Sequence, residues 1–261
     1  MNKRVEWDPR AYHKTTCAQK AAEHLMGYIT FAPNYKILDV GCGEGKVSAK
    51  LSQKVPDGSV VGIDISPEMI LFAKEHFPPL TFNNLQFILQ DAEHMNLSAN
   101  FDIIFSSFAL QWVRRKSCFL QRAANLLDRH GQLAFTIPLE SSPDLEDATK
   151  SVTTSTKWSQ FFKHFAPHWF FPIPNLLVKE VSDAFHIEHC EVIVQQEVFP
   201  SKEKLAGYIL LWYRYLDPLP AALRQTFFEE VLFEYYKRCP PLNGKFYLQF
   251  KRIDLVAKKR S

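Results

Sequence analysis

The sequence predicts an α/β protein built on a doubly wound parallel sheet, and three observations carry that prediction. Five short apolar runs alternate with stretches of helical periodicity over the first half of the chain, the pattern of a sheet whose crossovers are helices. One run, Lys36-Ile37-Leu38-Asp39-Val40, stops at the glycine-rich loop Gly41-Cys42-Gly43-Glu44-Gly45, and a helix with Val47 and Leu51 at i, i+4 follows at once. The acidic candidates of this half stand where strands end, the edge at which open parallel sheets hold ligands.

The 261 residues allow one large domain or a core with a substantial insertion. A 46% hydrophobic and 23% charged composition supplies a large core, and no run approaches the length of a membrane span. Met1 to Tyr12 is polar and charged, so no secretory signal is expected, and a cytoplasmic protein is. A net charge of +3 is too small to argue for a nucleic-acid partner. Lys251-Arg252 read as a strand's polar ends and Lys258-Lys259-Arg260 as a solvated tail. Cys17, Cys42, Cys118, Cys190 and Cys239 form no C-x-x-C pair, which fits a reducing compartment with neither disulfides nor a metal site. Cys42 reads as a small loop residue.

Ahead of the first strand, Ala18, Ala22, Leu25 and Ile29 mark a helix with Gln19 at the edge of its stripe. Pro56-Asp57-Gly58 turns the chain into a second strand, 59–63, that ends at Asp64. Ser66 and Pro67 then cap and open a helix carrying Met69, Ile70, Ala73 and Phe77. Leu85 to Leu89 forms a third strand before Asp91-Ala92, and Phe101 to Ser107 a fourth, running into Phe108 to Val113. A helix over 116–127, stopped by His130-Gly131, precedes a fifth strand at 132–137.

Beyond Pro138 periodicity weakens. Trp158, Phe161, Phe162, Phe165, Trp169, Phe170 and Phe171 crowd one segment, as a local core or as an apolar acceptor pocket. A helix is expected over 175–185, a sixth strand over 191–198, and two amphipathic helices built on Leu205, Tyr208, Ile209, Trp212 and on Phe228, Val231, Leu232, Tyr235. Phe246, Leu248 and Phe250 alternate out of phase with Ile253, Leu255 and Ala257, which predicts a bulge or break near Lys251-Arg252.

The spacing of the glycine loop selects its ligand. A dinucleotide fingerprint requires glycine where Lys46 stands. Here an acid leads, as Asp39-x-Gly41-x-Gly43-x-Gly45, and an acid suits a cationic ligand. Asp64 follows Gly45 by 19 positions, where a carboxylate can accept both hydroxyls of a ribose.

These residues resemble the first motif of the class I S-adenosylmethionine (SAM)-dependent methyltransferases. The resemblance spans roughly residues 12–138 and, more weakly, the last strand. It implies a mostly parallel seven-stranded sheet with an antiparallel last strand and a helical lid insertion, divided into a SAM-binding core over 1–139 and an acceptor lid with closing strands over 140–261. Cofactor contacts are implied at Tyr12, Asp39, Gly41, Gly43, Gly45, Asp64, Ile65, Met69, Asp91, Ala92 and Ser107. Asp91 would take the adenine amino group; capping a turn is its other reading. Phe105-Ser106-Ser107-Phe108-Ala109-Leu110-Gln111-Trp112-Val113, with Tyr12 and Gln19, is similar to the carboxylate O-methyltransferases of trans-aconitate, malonyl-acyl-carrier-protein and juvenile hormone acid. The first two usually show Asn where Ser107 stands.

That similarity implies acceptor binding by Gln19 and Trp112, the catalytic candidates; a surface amide and a core indole are the other readings. It also implies a small carboxylic acid or acyl carrier protein thioester as partner, with no nucleic acid or membrane. Arg214 and Arg10 are further candidate carboxylate clamps, although helical geometry turns Arg214 toward solvent. Methylation of carbon or nitrogen, and a non-catalytic SAM-binding protein, remain alternatives.

Overall fold

The computed structural model describes residues 7–98 and 100–260. Met1 to Glu6, part of the polar N-terminal stretch, lie outside the described residues.

Helices α1 (Pro9–His13) and α2 (Cys17–Met26) precede strand β1 (Lys36–Val40), after which α3 (Lys46–Lys54), β2 (Ser59–Asp64), α4 (Pro67–His76) and β3 (Leu85–Leu89) alternate. Asp8 caps α1 by accepting from the N–H groups of Arg10 and Ala11. Ser66 caps α4, its hydroxyl accepting from Met69 N–H at 3.2 Å, with Pro67 at the first helical position. Strand β4 (Phe101–Ser107), α5 (Lys116–Leu126) and β5 (Leu127–Pro138) complete the parallel part.

Three outcomes differ from the sequence expectation here. His130-Gly131 does not end a helix: the helix ends at Leu126 and the chain enters β5 directly. The pairing explains the misleading turn signal. Phe101 pairs with Leu127 but Ile103 with Gln132, so residues 128–131 are an irregular excursion within the strand. Second, the sixth strand runs over Phe185–Phe199, six residues earlier than expected at its start. Its first half, His186-Ile187-Glu188-His189, is polar because the strand lies at the edge of the sheet. Third, the final strand, Phe246–Lys259, continues through Lys251-Arg252 without a break. The phase of its apolar residues changes because every residue from Arg252 to Ala257 is buried, as in a strand covered on both faces. Arg252 is accordingly no polar strand end: it is 3% exposed, and its Nε donates to Gln195 Oε1 at 2.9 Å.

With these last strands as β6 and β7, the seven-stranded sheet has the order β3-β2-β1-β4-β5-β7-β6, mixed through its antiparallel last strands. Strand order reverses between β1, whose chain continues outward to β2, and β4 on its other side. That junction is the crevice where a doubly wound sheet accepts a ligand.

Two compact units divide the chain. The first comprises Met1–Ile137, Phe170–Val192 and Ile253–Ser261, so it takes the first half of β6 and the second half of β7. Ile37, Leu51, Val60, Phe87, Ile103 and Phe105 are buried in its core. The second comprises Pro138–Trp169 and Ile193–Arg252. It holds α6 (Pro143–Thr153), α7 (Ser159–Phe162), α9 (Lys202–Leu210) and α10 (Ala221–Arg238), while α8 (Pro174–Ala184) lies in the first unit. Trp158 packs edge-on to Phe227, and Phe162 stacks on the same ring. The indole N–H of Trp158 donates to Glu230 at 2.6 Å, which satisfies the one polar atom of that buried side chain. This part of the aromatic segment forms a local core. No helix among the described residues is long and apolar enough to cross a membrane.

Candidate functional site

A cavity of about 430 Å³ opens within the first unit at the carboxyl ends of β1, β2 and β4. Tyr12, Asp39, Gly41, Gly43, Asp64, Ile65, Met69, Asp91, Ala92, Ser107 and Trp112 all line it. The sequence candidates from six separate segments therefore converge. Gly45 and Gln19 are the exceptions.

Gly45 takes φ +93, and a Cβ there would lie 2.9 Å from both Phe77 Cδ2 and Phe87 Cζ. Its missing side chain thus admits α4 and β3 behind the loop instead of opening space for a ligand. Gln19 is absent from the lining; its amide donates to Glu23 Oε1 at 3.3 Å, one turn along α2. The neighbouring Ala18 lines the cavity instead, and its carbonyl accepts from the Ser107 hydroxyl at 3.2 Å.

The loop's own hydrogen bonds decide what kind of ligand fits. The N–H groups of Gly41 and Cys42 both donate to the Ile63 carbonyl, at 2.8 and 2.9 Å, and Gly45 N–H donates to Cys42. Gly43 N–H donates to Asp64 Oδ2 at 2.9 Å. These are the donors that would otherwise cradle a pyrophosphate, and they are engaged within the protein. At Gly43 a Cβ would meet nothing within 4 Å. The loop accordingly presents bare backbone, not an anion nest, to a ligand in the cavity.

Charge points the same way. Among the described residues, Asp39, Glu44, Asp64, Asp91 and Glu93 line the cavity against one cation, Arg114. Asp39 is 1% exposed and accepts from Ser48 Oγ at 2.6 Å. Burial, only partly opposed by that hydrogen bond, pushes its pKa up to about 7, with the charges of Asp64 and Glu44 adding to the rise. Burial also raises Asp64, against the backbone donors of Ser66 and Gly43. Asp91 Oδ1 accepts from Glu93 N–H at 2.9 Å and Oδ2 pairs with His94 Nδ1 at 2.7 Å. It caps the 92–94 turn, as one of its readings has it, while also lining the cavity. Burial drives the Cys42 thiol well above its ordinary range, which leaves it protonated and unsuited to nucleophilic attack.

A cation binding beside Asp39 favours the ionised carboxylate. Affinity for a cationic ligand is therefore expected to fall as pH drops through about 7, by at most tenfold per pH unit, with proton release on binding below that pH. Calorimetry in two buffers of different ionisation enthalpy measures that release. In Asp39→Asn the released proton should vanish, and its persistence would locate the titration elsewhere.

Trp7 lines the cavity without having carried a signal in the sequence, and the backbone angle of Phe108 carried none either. Trp7 stands 4.8 Å from Trp112, nearly perpendicular, and 5.8 Å from Tyr12. Phe108 adopts φ +51, a positive angle for a bulky side chain, as the chain leaves β4. Arg10 is exposed and lies outside the lining. Arg214 overturns a geometric expectation: helix α9 ends at Leu210, Arg214 starts a separate 3-10 turn, and its side chain is only 12% exposed.

An α/β sheet with this strand order and an acid-led, phosphate-refusing glycine loop defines a nucleoside-binding domain for a cationic ligand. The sequence matches the methyltransferase domain family over residues 31–169, more than half of the chain, and the chain belongs to that family. Trans-aconitate 2-methyltransferase of Methylobacterium radiotolerans is 27% identical over 271 residues, covering 98% of this chain and 100% of that protein. Malonyl-[acyl-carrier protein] O-methyltransferase 1 of Ilyobacter polytropus is 30% identical over 161 residues, 61% of this chain and 59% of its own length. A solved methyltransferase structure from Bacillus halodurans superposes with a TM-score of 0.64 at 17% identity, covering 93% of this chain and 100% of that one. The protein is a SAM-dependent methyltransferase. The acidic lining, the bare Gly43 and the engaged loop donors all suit a cofactor that carries two positive centres and no phosphate.

Proposed function

We propose that this enzyme methylates a carboxylate oxygen, on a small acid or on an acyl thioester carried by acyl carrier protein. The observation that carries the proposal is the wall made by Trp112 in a cavity lined by no histidine or lysine among the described residues. A carboxylate is already ionised at pH 7 and needs no general base. SAM, when bound, supplies an electrophilic methyl group on its sulfonium.

In this reading Asp64 holds the ribose hydroxyls, and Asp91 with the Ala92 N–H faces the adenine. Asp39 provides negative charge near the cationic end, and Tyr12, Ile65, Met69 and Ser107 complete the surround. Trp112 orients the acceptor through its indole N–H, so catalysis consists of alignment and partial removal of water from the nucleophile. Gln19 contributes to the acceptor only if its side chain leaves Glu23. Full-length similarity to trans-aconitate 2-methyltransferase supports an acid as acceptor.

One observation favours an amine acceptor: five carboxylates and the Trp7–Trp112 edge-on pair also suit a cation. Product chemistry separates the readings. The enzyme is supplied with SAM, a panel of di- and tricarboxylic acids, acyl carrier protein thioesters and small amines. A product methyl group released by mild alkali is expected; an alkali-stable one would replace the carboxylate with carbon or nitrogen.

Trp112→Phe should lower turnover by about 1–3 kcal/mol in barrier while SAM affinity is kept, the cost of one donor aimed at the transition state. Turnover at saturating SAM should show no rise between pH 7 and 9. A steep rise would require a general base. We propose a lid over 141–174 and 201–238, where deuterium exchange should slow when S-adenosylhomocysteine, the demethylated product, binds. Unchanged exchange there would remove that role.

A further inference from the structure

Lys116 opens α5 just past the turn that bears Trp112. Its ammonium donates to the Val113 carbonyl at 3.1 Å and to the carbonyl of Phe170. Phe170 returns its own N–H to the Gln111 carbonyl at 2.7 Å. Gln111 is buried, and its amide donates to the Phe108 carbonyl at 2.7 Å. Residue 170 is thus strapped across the outside of the 108–113 turn by a main-chain bond and an ammonium.

That turn needs support. Phe108 holds an unfavourable positive φ, a conformation that persists only where surrounding contacts over-determine it. The same short stretch gives the cavity Phe108, Ala109, Trp112, Val113 and Arg114. Any loosening on the outside moves the ligand-facing side.

We propose that Lys116 is a positioning residue: its ammonium clamps residue 170 onto the 108–113 turn and so fixes the cavity wall that carries Trp112. The inference concerns how the wall is held and does not depend on which acceptor is methylated. Half-burial lowers the Lys116 pKa to about 8, partly opposed by the carboxylates of Glu180 on α8 and Glu93 in the 92–94 turn. The charged clamp is therefore complete below pH 8 and is lost above it. A neutral amine still donates, but without charge assistance its hydrogen bonds are roughly half as strong.

The probe is S-adenosylhomocysteine, titrated by calorimetry from pH 7 to 9.5 into wild type, Lys116→Arg and Lys116→Met. The ligand's own amine titrates alike with each protein, so the ratio of dissociation constants is read. From pH 7 to 9.5, wild type should weaken about 3- to 10-fold relative to Lys116→Arg, whose guanidinium stays charged. Lys116→Met should be weaker than wild type at pH 7 and lack that extra alkaline loss. At pH 7, deuterium exchange of peptides covering 107–114 should be faster in Lys116→Met and in Phe170→Pro, which lacks the N–H given to Gln111, and unchanged in Lys116→Arg. The proposal is overturned if Lys116→Arg keeps the wild-type alkaline loss. It is equally overturned if Lys116→Met matches wild type in both affinity and exchange; should that variant fail to fold, the Arg and Pro variants decide.

Discussion

Asp64→Ala is expected to weaken S-adenosylhomocysteine binding by about 1.5–3 kcal/mol, roughly 10- to 150-fold, with an intermediate loss in Asp64→Asn. The carboxylate stands at the end of β2 and is fixed on both oxygens. Oδ2 accepts from Gly43 N–H at 2.9 Å and Oδ1 from Ser66 N–H at 2.8 Å. Each oxygen has a second acceptor position, so one immobile group can meet both hydroxyls of a ribose. Pre-ordering by two backbone donors means that little side-chain entropy remains to be lost on binding. Alanine removes both acceptors and also leaves the Gly43 N–H without its partner. Asn retains one oxygen and the approximate shape. Calorimetry on the three proteins tests the order; equal affinities would sink the ribose assignment.

Gly41→Ala should lose about 2–5 kcal/mol of folding stability, more than any other single-methyl change in the loop. Two costs add. The residue sits at φ +74, where a Cβ is unfavourable by about 1–2 kcal/mol. The new Cβ would also lie 2.1 Å from Ala109 Cβ, an overlap relieved only by main-chain movement, at about 1–3 kcal/mol. Gly43→Ala is the informative contrast. Its φ of +53 carries the first cost, but nothing lies within 4 Å to impose the second. Its methyl group falls instead on the cavity lining, so it should lose only about 1–2 kcal/mol of stability yet bind SAM more weakly. Urea denaturation and calorimetry on the pair check both claims. A Gly41→Ala protein as stable as wild type would show that the loop and the 108–113 turn are not in contact as described.

The nucleotide half was legible in the sequence because its signals are local. An apolar run ending in Asp39, three glycines at alternate positions and an acid at the end of each of the next two strands all fall within short windows, and parallel-sheet topology then brings strand ends together automatically. The class of protein and its cofactor are what the resemblance carried by these residues implies, and the family match bears both out.

Residues whose role depends on distant packing were not legible. Gly45 looks like its two neighbouring glycines, yet it serves Phe77 and Phe87 behind the loop. Trp7, far from the motifs in sequence, meets Trp112 only because the segment before α1 comes back to the end of β4. Helical geometry turned Arg214 to solvent on the assumption that a helix continues, and the helix stops at Leu210. The out-of-phase last strand was ambiguous for a similar reason: a two-residue period records one buried face, whereas β7 from Arg252 to Ala257 is buried on both. Local chain chemistry was enough to determine β1 to β4, the glycine loop and the charge of the ligand it suits. The fate of Gly45, Trp7, Lys116 and Arg252 was decided by long-range neighbours, since burial and hydrogen-bond partners are properties of the folded whole.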